Sequence, residues 1–272
     1  MRAAIVLPLA LLSACAAPRA PPLPPDAHVP PFARTPYEPI SRDAVAAIAL
    51  REWRLFGSQV DDDPPGSYRP ASPEDKPERQ QGLWQRVGEY WWLGMNAGAP
   101  DAAWTGRHDA NGIVFPASVD AQYAWSAAFV SYVMRIAGAA GRFPYAPNHA
   151  HYIDIAKQMA TGAASGWIIS AERPESYAPV AGDLICIGRG SARDLSFDDL
   201  PAGHFPGHCD IVVDTAVAGQ IGVVGGNVDD AVTLKHVPVT PDGRLATADG
   251  QVLDPRYKWM VVLRLLLAAP VS

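Results

Sequence analysis

The sequence predicts an α+β protein, with helices from the first half of the chain packed on an antiparallel sheet built from the second half. Two observations lead there. Apolar residues recur at helical spacing in four segments before Gly162, and short β-rich runs separated by turn residues follow it. Helices first and strands afterwards is the order of an α+β domain.

Ser41 is placed to cap a first helix running to Phe56, with Val45, Ile48, Ala49, Trp53 and Phe56 on one face and Gly57 as the stop. Residues 61–77 are acidic and proline-rich, hence a loop. A second helix over Gln80 to Asn96 brings Leu83, Val87, Tyr90, Trp91 and Gly94 together. Trp84, Trp91, Trp92 and Trp104 suggest either a glycan platform or core, and core is the commoner fate of such residues. The third helix carries Trp125, Phe129, Tyr132, Val133 and Ile136 at helical spacing, ends at Gly138, and sets Ser126 near its first turn. A fourth starts at Asn148 and runs to about Met159. The strands expected are Asp183 to Ile187, Cys209 to Val213, Ile221 to Val224, Ala231 to Val237 and Trp259 to Leu267.

Ahead of these elements stand Met1-Arg2, an apolar run from Ala3 to Leu12, and Ser13-Ala14-Cys15. One positive charge, a short apolar core and small residues make residues 1–14 a cleavable secretory signal, too short to span a bilayer. Proline and alanine dominate residues 15–40, so this stretch is expected to be an extended tether. Residues 41–111 form a helical extension, and residues 112–270 the main domain. Hydrophobic residues make up 49% of the chain and the net charge is −6, with no basic patch, so a globular protein is expected and nucleic acid is not a partner.

Three polar sites stand out. Ser126 lies at a helix N-terminus, where the helix field stabilises the anion of an attacking group. His208 opens a strand and is a candidate base. Asn227 ends the next strand, where a side-chain amide would orient the imidazole; after two glycines it also reads, strongly, as a turn residue. Asp210 is a rival orienter, two residues from His208 and so on the same strand face, but it is less well placed than Asn227 to reach the far ring nitrogen. Backbone N–H groups near Ser126 and Ala127 are placed to hold an oxyanion. Trp125, His149 and His151 are further candidates for the cleft, although His149 and His151 also read as a solvated helix start. His204 and His208 are four apart, but Pro206 and Gly207 make this a loop without a third ligand, so neither a metal nor a cofactor is expected. If Cys15 is modified, Cys186 and Cys209 remain, either disulfide-bonded or as two buried thiols.

Two resemblances extend this reading. Leu12-Ser13-Ala14-Cys15 resembles the bacterial lipobox, which implies lipidation of Cys15, a membrane anchor and, with Ala16 next, a place in the outer membrane of a Gram-negative bacterium, facing the periplasm. Trp-Ser-Ala-Ala-Phe-Val-Ser, Ala-Gly-Asp-Leu-Ile, Gly-His-Cys-Asp-Ile-Val-Val and Val-Val-Gly-Gly-Asn-Val, in that order, resemble the papain-like cell-wall hydrolases of the CHAP and NlpC types. More closely, the chain is similar to the bacterial family Domain of Unknown Function 2272 from about Val114 to Leu267; His149 and His151 fit that family too. The resemblance implies a papain-like fold and an amidase or peptidase acting on peptidoglycan peptides, with Ser126 as nucleophile, His208 as base and Asn227 as orienter. Ser126 departs from it, because the hydrolases carry cysteine there; a module that only binds cell-wall peptide or a partner enzyme is the alternative.

Overall fold

Ser41 turns the chain into its first helix. Its Oγ accepts from the Ala44 N–H at 3.1 Å, and α1 runs over Arg42–Leu55 before Gly57 takes a positive φ. The computed structural model describes residues 40–95, 100–245, 249, 251 and 254–267. The expected signal, Cys15 and nearly all of the tether lie outside the described residues. Among the described residues no helix is long and apolar enough to cross a membrane.

The second helix, α2 (Leu83–Gly94), is shorter than its apolar pattern predicts because Gly82, at φ 92°, starts it late. α3 covers Ser126–Ile136 and α4 covers His149–Thr161; the Asn148 side chain caps α4 by accepting from the His151 N–H at 3.0 Å. Gly94 lets α2 and α3 touch, since a Cβ there would lie 2.6 Å from the Ala128 carbonyl oxygen. A buried polar knot ties the first three helices: Glu52 accepts from Arg86 at 2.7 Å, Tyr90 at 2.8 Å and Tyr132 at 3.2 Å. These three donors converge on the buried carboxylate, which offsets its desolvation. α1 and α2 therefore belong to the same compact unit as the sheet.

The strands are β1 (Ile169–Glu172), β2 (Leu184–Gly188), β3 (Gly207–Asp214), β4 (Gln220–Val228), β5 (Ala231–Pro238) and β6 (Trp259–Leu265). They form one six-stranded sheet in the order β1-β6-β2-β3-β4-β5, antiparallel throughout. The α+β expectation is met, with β1 as an additional strand. Outside β5 the chain after α1 forms a short strap: Gln59 and Asp61 exchange backbone bonds with Leu234 at 3.0 and 2.9 Å.

Two apolar layers flank the sheet. Cys186, Cys209, Ile211 and Val224 join the larger core under the helices. Ile185, Val212, Val223 and Val237 join a smaller one on the opposite face, with Trp259 and Leu245. Cys186 and Cys209 are direct cross-strand partners and form a disulfide on the helix side. Trp91 is core, Trp104 packs edge-on against it at 5.0 Å, Trp84 leans on His108, and Trp92 alone is largely exposed. Ile136, expected on the core face of α3, is exposed.

Candidate active site

Strand alternation decides how the predicted residues are distributed. Cys209 and Ile211 point to the helices, so His208 and Asp210 take the parity of Val212 and point to the other face. Ser126 and Ala127 head α3, on the helix side. The hydroxyl expected to face His208 therefore bonds elsewhere: Ser126 Oγ lies 2.7 Å from His149 Nε2. The other ring nitrogen of His149 is bonded to the Tyr152 hydroxyl, one turn further along α4. All three side chains are buried. Burial, with the His208 ring nearby, holds the His149 imidazole well below its ordinary pKa, so it is neutral. Burial and the charge of Asp210 push the Tyr152 hydroxyl well up.

His208 has its own partner. Its Nε2 lies 2.9 Å from Asp210 Oδ1, and the other carboxylate oxygen lies 2.6 Å from Lys235 Nζ. Asp210 thus holds the orienting position expected of Asn227. Asn227 itself has φ 55°, at the bulge where the β4–β5 register slips, and makes no side-chain hydrogen bond among the described residues. Its role as a turn residue follows from that backbone. Gly225 is what allows the His208–Asp210 pair, since a Cβ there would fall 2.0 Å from Asp210 Oδ1 and 3.1 Å from His208 Nε2. Burial works against ionisation of Asp210, but Lys235 and His208 outweigh it and hold the carboxyl well below the usual carboxylate range. An ionised Asp210 can only accept, so His208 keeps its hydrogen on Nε2 and donates it to Oδ1, and Nδ1 is the bare acceptor. Burial lowers the His208 pKa, against the pull of Asp210. Nδ1 is buried and has no hydrogen-bond partner among the described residues.

The two sets meet at the start of β3, where the His149 and His208 rings lie 5.3 Å apart, centre to centre. Gly207 sits at the same point: a Cβ there would lie 3.5 Å from the His149 Cβ.

A cleft of about 560 Å³ opens on the sheet face away from the helices. Of the residues singled out from the sequence, His208 and Asn227 line it; Ser126, Trp125, Ala127, His149, His151 and Asp210 do not. Trp125 is buried and donates from Nε1 to Glu78 Oε2 at 2.6 Å, and burial pushes Glu78 up to about 8. His151 is exposed, in a separate shallow depression beside Tyr145 and Trp167. Cations dominate one side of the cleft: Lys235, Arg256 with Asp254 at 2.9 Å, Lys258 with Asp194, and Arg189, which has no ion-pair partner among the described residues. Elsewhere, among the described residues, Glu78, Asp120 and Asp230 converge within 4.8 Å, but Lys76 Nζ stands 2.6 and 3.3 Å from the two aspartates and supplies the positive charge there.

Sequence reasoning missed Tyr152 and Lys235. The signal for Tyr152 was its place three residues after His149 on a helix. For Lys235 it was a lone lysine at an apolar parity of an otherwise buried strand.

Fold and site together define an α+β protein with an antiparallel sheet and two neighbouring histidines, one heading α4 and one opening the central strand β3. The family described as an uncharacterised protein conserved in bacteria (DUF2272) matches residues 78–265, and the chain belongs to it. No curated protein and no solved structure matches the chain.

Proposed function

We propose that the chain is an envelope lipoprotein, lipidated at Cys15 and facing the periplasm from the outer membrane. Its domain, in this reading, is a papain-like amidase or peptidase acting on peptidoglycan peptides or related amides. The observation that carries the proposal is the 2.7 Å contact between Ser126 Oγ and His149 Nε2 at the head of α3. A neutral imidazole donates from one ring nitrogen and accepts at the other. With the proton on Nδ1, directed at the Tyr152 oxygen, Nε2 is free to take the Ser126 proton. Ser126 Oγ then attacks the carbonyl carbon, and N–H groups at the start of α3 receive the oxyanion. His149 returns the proton to the leaving amine, and water cleaves the resulting ester. His208, held by Asp210, forms the polar end of the adjoining cleft and binds the substrate.

Ser126→Ala should abolish release of soluble fragments from purified peptidoglycan, and Ser126→Cys should release them. Loss of release in neither variant would remove Ser126 from the chemistry. One feature favours a second reading, a module that binds cell-wall peptide without cutting it: Ser126 and His149 are 7% and 4% exposed, and neither lines the cleft. Tight muropeptide binding by the wild-type protein, with no fragments released, would select it. Globomycin should make a larger precursor accumulate in cells; an unchanged band would rule out lipidation.

A further inference from the structure

Lys235 is 2% exposed, in the middle of β5, although a lysine is almost never this buried without a partner. The strand alternation that sends Val223 and Val237 to the cleft face sends Lys235 there too. Its Nζ meets Asp210 Oδ2 at 2.6 Å and lies 4.9 Å from the centre of the Tyr257 ring. Asp210 is fully buried, and its second oxygen meets His208 Nε2 at 2.9 Å. The carboxylate thus bridges an ammonium and an imidazole, one oxygen to each.

We propose that Lys235 is a positioning residue that fixes the tautomer and charge of His208 through Asp210. Its ammonium keeps Asp210 a carboxylate; the carboxylate accepts a hydrogen bond from the His208 Nε2–H; Nδ1 is left as a bare acceptor beside the cleft. The inference rests on the reading of this cleft as the functional site, and does not need bond cleavage to occur there.

The charges facing His208 define the expected response. Asp210, on its own strand, favours the imidazolium. Lys235 on β5 and Arg189 after β2 oppose it, as burial does. The His149 ring on α4 is neutral, and the Tyr152 and Tyr257 hydroxyls are raised and hold their protons. Without Lys235, a buried carboxylate at 2.9 Å would pull a proton onto His208.

Histidine ¹⁵N NMR on the full chain tests this directly. In the wild-type protein at pH 7, His208 should be neutral with its hydrogen on Nε2. In Lys235→Met it should titrate about 1 pH unit or more higher. Lys235→Arg should keep the wild-type value, and adding Asp210→Asn to Lys235→Met should cancel the rise. An Nδ1–H or cationic His208 in the wild type would overturn the proposal, as would an unchanged titration in Lys235→Met. If Lys235→Met does not fold, the double variant, which removes both buried charges together, is compared with Asp210→Asn. The direct repulsion by Lys235 leaves a small rise in the double variant; a rise well short of 1 pH unit supports action through Asp210, and one of about 1 unit or more refutes it. A protein that shows the Nε2–H form yet releases nothing from peptidoglycan would lose the hydrolase reading and keep this one.

Discussion

On the helix side of the sheet, the linked groups Ser126, His149 and Tyr152 carry no net charge. On the cleft side, the linked groups His208, Asp210 and Lys235 include two full charges at 2.6 Å. Both sets are buried, so they differ in what a single deletion leaves behind. Removing a neutral hydroxyl leaves one unmet hydrogen bond, whereas removing a buried charge leaves its partner stranded without water.

That contrast orders the expected effects. Asp210→Ala strands Lys235 and should cost about 3–5 kcal/mol in denaturant unfolding. A loss no larger than that of a serine variant would erase the contrast between the faces. Gly225→Ala forces a methyl group to within 2.0 Å of Asp210 Oδ1 and should cost about 1–3 kcal/mol. Altered His208 NMR shifts would accompany it if the strain is local to the pair.

The third test is of pH dependence. Glu78, under the head of α3, is raised from 4.5 to about 8, so the unfolded chain gives up this proton first as pH rises. Its contribution is complete below about 4.5 and is lost as pH climbs towards about 8. Asp210 and the two histidines have the opposite slope, because their folded pKa values are depressed. They lose stability on acidification: the histidines below their ordinary value of 6.5, the aspartate below about 3.8. Between pH 6.5 and 8, wild-type stability should therefore fall by about 1 kcal/mol per pH unit, and Glu78→Gln should flatten that limb. A slope that survives the substitution would assign it to another group. Smallest of all, Ser126→Ala should lower stability by about 1 kcal/mol, read as a small drop in Tm.

What the sequence disclosed follows the range of the interactions. Ser41, Asn148, Gly57 and Gly162 act within a turn of their helices, and the starts of α1 and α4 are readable from them. β1 escaped because Ile169 pairs with Leu265, far along the chain, and four residues carry too little pattern to betray it. Parity along β3 placed His208 with Asp210 correctly, since alternation is local. The Ser126–His149 contact depends on how the heads of α3 and α4 meet, which no spacing within either helix encodes. Asn227 illustrates a rule that cut the other way: two glycines and a left-handed backbone mark a bulge before they mark a catalytic amide. The Cys186–Cys209 bond needed the cross-strand register, which brings the two residues directly opposite each other.

The strap beside β5 reaches beyond the site. β5 ends the sheet, and its outer Leu234 amide and carbonyl are occupied by Gln59 and Asp61, with Asp62 also accepting from the His236 N–H at 2.7 Å. All of these strap residues precede Glu78, where the family match begins. A fragment trimmed to the matched segment would bare that row of hydrogen-bonding groups and strip α1 from the core, inviting other copies to add on edge to edge. The smallest piece able to keep this edge covered should begin ahead of Ser41, well before the matched segment starts.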